Sequence, residues 1–346
     1  MKSLLVSVVL TSCGALAALG QSPLPKGKTT GPGVQATRDS KEPELLKTCK
    51  VPPPPPRPFP RPNAAAEAAR PEQTSEIPGV VAAGEKWKEV WEVDGNNADG
   101  IVATKDGGIL LAQNDNSQVI KLDQDGKTSV AYMGLNTSGS LAFNSKGALF
   151  VHNRGLNESI EELEPQRKTL ANKYNGDPID CIGGVLNDLV ADSKGGVYFT
   201  DGQVFHADKQ GKITKYSDNL FTNGIVLSED EKHLFVTNGP ELVEFDVQKD
   251  GSLTNQRTFA KLSGGGDGST FDSQGRIYVT TNGGVNVISA DGKNLGLIPT
   301  PRDVISVVFS GPDRKTLYAV SRDNRQNKDW IITLQMIAQG PKGRGK

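Results

Sequence analysis

The sequence predicts an all-β fold, a six-bladed β-propeller of four-stranded antiparallel blades that follows a signal peptide and a disordered, Pro-rich tether. Three observations support this prediction: a strand–turn–strand unit recurs six times at intervals typical of propeller blades, no long helical periodicity interrupts the series, and most prolines precede it. The expected organisation has four parts: a signal peptide at 1–20, a Pro/Ala-rich tether at 21–84, the propeller at 85–338 and a basic flexible tail at 339–346.

The first twenty residues have the pattern of an export signal. Lys2 supplies a positive start, an apolar run covers residues 4–18, and small residues precede Gln21 as at a cleavage site. The run is shorter than the roughly 18 to 20 residues of a spanning helix, and no later apolar run approaches that length, so we expect no transmembrane segment. The expected location is periplasmic or extracellular. The alternative is a lipoprotein, because residues 10–13 resemble a bacterial lipobox and would place a lipid anchor at Cys13.

The segment after the signal is rich in proline. Fourteen of the 21 prolines fall between residues 22 and 80, including an unbroken run at 52–56. Proline lacks a backbone N–H and favours the polyproline II conformation, so the segment predicts a stiff tether, or else a proline-motif ligand for another protein. Cys49 lies in this tether. In an oxidising compartment it can pair with Cys181 or with another chain, and both pairings stay open.

The repeated unit is a short apolar strand, a polar turn rich in Asp, Gly and Lys, and a second alternating strand. The first five units begin at residues 99, 139, 187, 223 and 267, which are 40, 48, 36 and 44 residues apart, and the sixth begins near Ser306. Most units are followed by a further strand and turn, such as VIKLDQDGK from Val119. Each unit therefore contains about four strands in about 40 residues, which is typical of a propeller blade.

Two segments outside these units predict how the ring closes. Residues 86–93 and 330–336 both read as strands, and they carry all three tryptophans, Trp87, Trp91 and Trp330. We predict that the two segments pair in one composite blade and that the aromatic side chains seal the seam.

The first residue of the innermost strand of each blade, here called the axial residue, faces one mouth of the central channel. In the first five units the axial residues are, in order, Asp99, Gly139, Asn187, Asn223 and Asp267. Asp and Asn are depleted in strands, so four of five at equivalent positions departs from strand propensity. Two carboxylates and two amides form an all-oxygen ligand set, which suits Ca²⁺ better than Zn²⁺, copper or Mg²⁺. The alternative is ordinary turn chemistry in a wet channel.

Four segments in order, residues 187–201, 223–238, 267–293 and 304–321, resemble the senescence marker protein/gluconolactonase/luciferin-regenerating enzyme family of six-bladed propellers. The first reads NDLVADSKGGVYFTD and the second NGIVLSEDEKHLFVTN. The resemblance extends from about Trp87 to Met336.

The resemblance implies a divalent ion, commonly calcium, held at one channel mouth by a Glu, two Asn and an Asp. Asn187, Asn223 and Asp267 match three of these ligands, and Asp99 stands where the family usually has Glu. Members that act on sugar lactones carry an Arg that contacts substrate where this chain has Val185. We therefore do not expect a polyhydroxylated sugar lactone as substrate.

The implied function is an exported, metal-dependent hydrolase of the gluconolactonase type that acts on a lactone or related ester. The ion polarises the carbonyl, and Asp267 serves both as ligand and as general base for the attacking water. Asp188 is expected to support the site through hydrogen bonds, and His152 to lie on the substrate rim or to be a packing residue. The sequence has no GxSxG motif, which disfavours a serine hydrolase.

Two other functions stay open. The first is a non-catalytic propeller that binds a peptide, glycan or small ligand, which the Asp at position 99 and the missing Arg favour. The second is a metal-free hydrolase or ligase on a related ring, similar to strictosidine-synthase-like proteins. A formal net charge of -1 gives no reason to expect nucleic acid as a partner, and the three Cys and three scattered His contain no CxxC or clustered-His zinc motif.

Overall fold

The computed structural model describes residues 41–53, 70–71, 73–323 and 325–343. Their main body is a ring of six four-stranded antiparallel sheets, which confirms the predicted propeller. The signal peptide with Cys13 and most of the proline-rich run lie outside the described residues.

The strands are numbered in chain order, and β1 (Lys88–Asp94) belongs to the last blade. Blade 1 consists of β2 (Ile101–Ala103), β3 (Ile109–Gln113), β4 (Gln118–Leu122) and β5 (Thr128–Tyr132). Blade 2 consists of β6 (Ser138–Phe143), β7 (Leu149–Asn153), β8 (Ser159–Glu164) and β9 (Lys168–Ala171). A small hairpin, β10 (Lys173–Tyr174) and β11 (Asp177–Pro178), and a 3-10 helix (Ile179–Ile182) connect it to the next blade.

The remaining blades follow the same plan. Blade 3 consists of β12 (Leu189–Ala191), β13 (Val197–Thr200), β14 (Val204–Ala207) and β15 (Ile213–Lys215). Blade 4 consists of β16 (Thr222–Leu227), β17 (His233–Asn238), β18 (Glu241–Val247) and β19 (Leu253–Lys261). Blade 5 consists of β20 (Gly266–Phe271), β21 (Ile277–Thr281), β22 (Gly284–Ile288) and β23 (Asn294–Pro299). Blade 6 consists of β24 (Asp303–Ser310), β25 (Thr316–Asp323), β26 (Lys328–Gln335) and β1, and α1 (Glu42–Leu46) precedes the ring.

The turn after each innermost strand is built by local hydrogen bonds. In blade 3, Asp192 Oδ1 accepts from the backbone N–H groups of Lys194 and Gly196, both at 2.8 Å, and Gly195 has a positive φ of 90°. Asp272 makes the same contacts in blade 5, with Gly275 at φ 76°. The Asp/Asn-Ser-x-Gly motif in these units therefore predicts a closed turn, because the side chain of its first residue accepts hydrogen bonds from the backbone N–H groups that the turn exposes.

The apolar core is divided among the blade interfaces. Within the described part of the chain, six clusters of buried apolar side chains each join two neighbouring blades. Because alternate residues of a strand point to opposite faces, each blade contributes to two clusters; in blade 1, Val102 packs toward blade 2 and Ile101 toward blade 6. No blade covers both of its own faces, so the ring must close for every cluster to be shielded from water.

The predicted closure is confirmed. Strand β1 pairs antiparallel with β26, with Trp91 opposite Ile331 and Glu92 opposite Trp330. The tryptophans do not stack on one seam as expected. Trp330, 4% exposed, and Trp87 pack toward blade 5, whereas Trp91 packs toward blade 1. Their positions on alternate faces of blade 6 explain this difference, and the aromatic surface seals two interfaces.

The N-terminal segment is attached to the ring by a covalent bond. Cys49 forms a disulfide with Cys181 in the 3-10 helix, with the Cα atoms 5.7 Å apart. The backbone N–H of Lys50 also donates to Asp177 Oδ2 at 3.0 Å. Of the two pairings left open by the sequence, the structure has the one within the chain.

A second part of the segment predicted as a tether packs on blades 5 and 6. Ile77, Val80 and Val81 are buried in the cluster between these blades. The carbonyl of Val80 accepts from the N–H groups of Ile337 and Ala338 at 2.9 and 3.1 Å, so the segment before the ring contacts the segment after it here. Nowhere in the residues described is there a helix whose length and apolar character would let it cross a bilayer.

The closure predicts a contrast between neighbouring positions of β1. Replacing the half-buried Trp91 by Ala removes aromatic area from the blade 6–blade 1 interface, and we expect the free energy of unfolding to fall by about 3 kcal/mol. Val90→Ala is the matched control, because Val90 is 37% exposed and should change stability by less than about 0.5 kcal/mol. Denaturant unfolding of both variants measures the difference. Equal effects would contradict the packing role of Trp91.

The disulfide predicts a second stability effect. Cys49 and Cys181 are 132 residues apart in sequence, so the bond restricts a long loop of the unfolded chain. We expect Cys49→Ser, Cys181→Ser and the double variant to lose the same free energy of unfolding, about 2 to 4 kcal/mol, under non-reducing conditions. A larger loss in the double variant than in either single variant would show that the two cysteines act separately.

Candidate metal centre at the channel mouth

The axial residues leave the regular strand pairing. In blades 2, 4 and 5 the register with the second strand shifts between Ser138 and Leu141, Thr222 and Ile225, and Gly266 and Ser269. Each shift marks a β-bulge, which redirects side chains out of the ladder. The bulges contain Gly139, Asn223 and Asp267. Asp99 and Asn187 precede β2 and β12, and in blade 6 the bulge between Val304 and Ser306 places Ile305 at the sixth axial position.

Close backbone contacts hold neighbouring axial residues together. The N–H of Gly100 donates to the carbonyl of Gly139 at 2.8 Å across blades 1 and 2. A Cβ on Gly224 would lie 2.0 Å from the carbonyl oxygen of Asp267, so only glycine fits between blades 4 and 5. The innermost strands therefore touch around the axis, and the axial side chains share one small region.

Asp188, which follows Asn187, joins three blades. Its Oδ1 accepts from Ser140 Oγ of blade 2 at 2.5 Å, and its Oδ2 accepts from the N–H of Ile225 of blade 4 at 3.0 Å. The carboxylate is buried and is used in these hydrogen bonds. In this geometry Asp188 positions the innermost strands beside Asn187 and Asn223.

Asp267 is half-buried and lies in an electrostatically unfavourable place. Burial, followed by the nearby carboxylates of Asp99 and Asp188, raises the pKa of Asp267 to about 8, and the guanidinium groups of Arg322 and Arg154 only partly oppose this shift. The proximity of these three aspartates shows that side chains from blades 1, 3 and 5 converge at the mouth.

The two axial asparagines differ in their contacts. The side-chain Oδ1 of Asn223 is buried and accepts no hydrogen bond from any residue that the structure describes. The backbone carbonyl of Asn187 accepts from His152 Nε2 at 2.9 Å and from Arg154 Nη2 at 2.5 Å. His152 is fully buried, and its ring contacts the backbone of a predicted ligand residue.

Arg154 is a site residue that the sequence reasoning missed. It follows the end of β7 and its side chain is 1% exposed. Its guanidinium binds the carboxylate of Asp99, and its Nε donates to the carbonyl of Leu186 at 2.6 Å. The available signal was Gly139, the one axial residue among the first five without a side chain: a Cβ there would lie 2.2 Å from Arg154 Nε.

A second buried arginine approaches from the opposite side of Asp99. Arg322 Nε donates to Asp329 Oδ1 at 2.7 Å, and its Nη2 donates to the carbonyl of Ala98 at 2.9 Å, which joins blade 6 to blade 1. Its charge also interacts with Asp99 and Asp267. Around the mouth, the carboxyl groups of Asp99, Asp188, Asp267 and Asp329 thus outnumber the guanidinium groups of Arg154 and Arg322 by two.

The chemistry of this mouth fits a divalent cation. With all four carboxyl groups ionised, the excess of two negative charges would match one divalent ion, and the axial polar side chains offer oxygen donors, as Ca²⁺ requires. The buried Asn223 Oδ1 is an acceptor in need of a donor or a cation, since an unpartnered buried polar atom is costly.

Two other features away from the mouth do not compete with it. His233, Glu244 and Asp246 have ligand atoms within 4.8 Å of one another, but Arg257 already binds both carboxylates at 2.8 Å. A cavity of about 260 Å³ between blades 3 and 4 is lined by Tyr198 and other residues near the turns, at the opposite ends of the innermost strands.

Comparisons with known proteins agree with this architecture. A model of the SMP-30/gluconolactonase/LRE-like region matches residues 155–323. The lactonase drp35 of Staphylococcus saprophyticus subsp. saprophyticus is 26% identical over 322 residues, which cover 78% of this chain and 91% of that protein. Distant homologues of the chain are therefore lactonases.

Solved structures show the same fold at low sequence identity. A gluconolactonase from Xanthomonas campestris superposes with a TM-score of 0.64 at 20% identity, over 78% of this chain and 96% of that chain. Regucalcin from Agrobacterium tumefaciens, described as a calcium-binding protein, superposes with a TM-score of 0.60 at 18% identity, over 74% of this chain and 95% of that chain. Residues 155–323 thus match the SMP-30/gluconolactonase/LRE-like family, and the six blades have the propeller arrangement of that family.

Proposed function

We propose that this protein is an ion-dependent hydrolase of the lactonase type, which binds one divalent cation, most suitably Ca²⁺, at the channel mouth and acts on a lactone or related ester. The observation that carries the proposal is the buried, unpartnered Oδ1 of Asn223 in a mouth whose carboxylates exceed its arginines. Relatives named as a lactonase and a gluconolactonase support the reaction class, and a calcium-binding protein of the same fold supports the ion.

The residues at the mouth have different proposed roles. Asn187, Asn223 and Asp267 would hold the ion, and Asp99 contributes negative charge. A bound divalent cation supplies Lewis-acid polarisation of the substrate carbonyl. Asp267 is the carboxylate that we assign to take the proton of the attacking water, because it reaches the mouth from a bulge and has no arginine bound to it among the described hydrogen bonds and ion pairs.

Residues behind the mouth keep these groups in place. His152 binds the backbone of Asn187, and Asp188 bridges blades 2, 3 and 4. Preorganised groups of this kind reduce the rearrangement that the reaction requires. The substrate stays defined only as a class, because Val185 stands where sugar-lactone enzymes of the family have an Arg.

We also propose that the protein is exported. The signal-like residues 1–20 support this location, and the Cys49–Cys181 disulfide is typical of an oxidising compartment. The mass of the mature N-terminus after expression in a Gram-negative host separates cleavage after Gly20 from lipidation at Cys13. A full-length cytoplasmic product would contradict export.

Ion binding is the first test of the site. We expect calorimetric titration of the parent with CaCl₂ to show one site, and Asn223→Ala and Asp267→Asn each to weaken it at least about tenfold, since each removes an oxygen ligand or a charge. Asp246→Asn is the control, because it alters the acidic group near His233 and should leave calcium affinity unchanged. Loss of calcium binding in the control alone would show that the ion binds at the acidic group on blade 4 instead of at the channel mouth.

Turnover separates the enzyme from the binding module. In a panel of aliphatic and aromatic lactones, we expect hydrolysis that a chelator abolishes and added calcium restores. Asp267→Asn should lower kcat/KM at least about 100-fold with an unchanged circular dichroism spectrum, because it removes the base. Calcium binding without turnover on any lactone or ester would favour the binding module. The Arg154–Asp99 contact supports that second function, because Arg154 neutralises the charge of one predicted ligand.

A further inference from the structure

Asp99 already has a cationic partner. Two described donors contact its carboxylate, and both use the same oxygen, Oδ2: Asn114 Nδ2 at 2.9 Å, and Arg154 Nη1, which also forms the ion pair. Arg154 Nη1 in turn lies 3.3 Å from Asn114 Oδ1, so the three side chains form a closed group behind the mouth. Asp99 is thus a predicted ligand whose charge is already balanced by a residue of the protein, Arg154.

Arg154 is fixed in this position. Its side chain is 1% exposed, and the carbonyls of Leu186 and Asn187 accept from its Nε and Nη2 at 2.6 and 2.5 Å. Swinging it aside would remove its hydrogen bond from the carbonyl of Leu186 and leave the carbonyl of Asn187 with His152 alone, which is costly. Gly139 leaves the space that the guanidinium group occupies. An ion at the mouth must therefore bind in the presence of this positive charge.

We propose that Arg154 sets the calcium affinity of the channel mouth by holding Asp99 as its counter-ion, so that Asp99 balances charge and does not ligate the ion. This inference rests on the proposed ion site and deepens it. The ion is then held by Asn187, Asn223 and Asp267, and the Arg154–Asp99 pair weakens binding relative to a mouth in which Asp99 is free. Arg154 is a positioning residue, because it acts through Asp99 and the backbone of Asn187.

Charge balance makes opposite predictions for the two partners. Arg154→Gln releases the charge of Asp99 and should tighten calcium binding about tenfold, whereas Asp99→Asn leaves an unmatched guanidinium and should weaken it about tenfold. In Asp99→Asn/Arg154→Gln both charges are gone, and we expect an affinity within about threefold of the parent. Arg154→Lys keeps the charge and should stay near the parent. Calorimetric titration of the full chain with CaCl₂ gives these affinities.

A matched control separates charge from general loss of stability. Arg276 is also a buried arginine, paired with Asp272 at 2.5 Å, but this pair lies beyond the opposite end of β20 from Asp267. Arg276→Gln should lower the thermal midpoint as Arg154→Gln does and leave calcium affinity unchanged. If Arg154→Gln fails to fold, the comparison of Asp99→Asn with the double variant and with Arg154→Lys still decides the matter.

The outcomes are distinct. A double variant as weak as Asp99→Asn would show that Asp99 is a direct ligand and would overturn the inference, as would unchanged or weaker binding in Arg154→Gln. If the parent fails to bind calcium but Arg154→Gln binds it, the inference stands and the proposed ion-dependent function falls. If neither binds calcium, both are overturned.

Discussion

Closure of the ring shields every apolar interface between the blades from water. Each blade has two apolar faces and can cover neither by itself. Each blade therefore needs a neighbouring blade on both sides, and an apolar cluster forms at each of the six interfaces. Blade 6 receives its outer strand from the start of the ring, and the β1–β26 ladder joins the ends of the sheet series. The closed ring then brings the axial residues of all six blades, far apart in sequence, to one channel mouth.

Both electrostatic repulsion between carboxylates and close packing of the inner strands shape the channel mouth. Close-packed inner strands leave little room, and burial together with the carboxylates of Asp99 and Asp188 raises the pKa of Asp267. Two buried arginines compensate part of this charge, and each also binds backbone carbonyls of a neighbouring blade. The same side chains that stabilise the contact between blades therefore determine how much negative charge stays available for a cation.

The N-terminal segment adds a local restraint near this region. The Cys49–Cys181 disulfide and the Lys50–Asp177 contact hold it against the hairpin and the 3-10 helix that precede Asn187. At a second place, residues 77–81 pack into the apolar cluster between blades 5 and 6. A segment whose proline content indicates an extended chain is thus attached at two places, through a covalent bond and a small apolar cluster.

The repeat, the number of blades, the closing strand and the polar axial residues could be predicted from the amino-acid sequence alone, because they follow from local periodicity and from a unit that recurs about every 40 residues. The sequence also predicted that Asp188 supports the site through hydrogen bonds and that His152 is a rim or packing residue. Tertiary structure decided what depends on contacts between distant parts of the chain. The bulges that redirect Asn223 and Asp267 arise from pairing with a second strand. The division of the tryptophans between two faces follows from the register of β1. Arg154 lies 55 residues from Asp99 in sequence, and nothing local to either residue indicates that their charges meet. The packing of blade 1 against blade 2 makes them neighbours, since adjacent blades share the space around one axis.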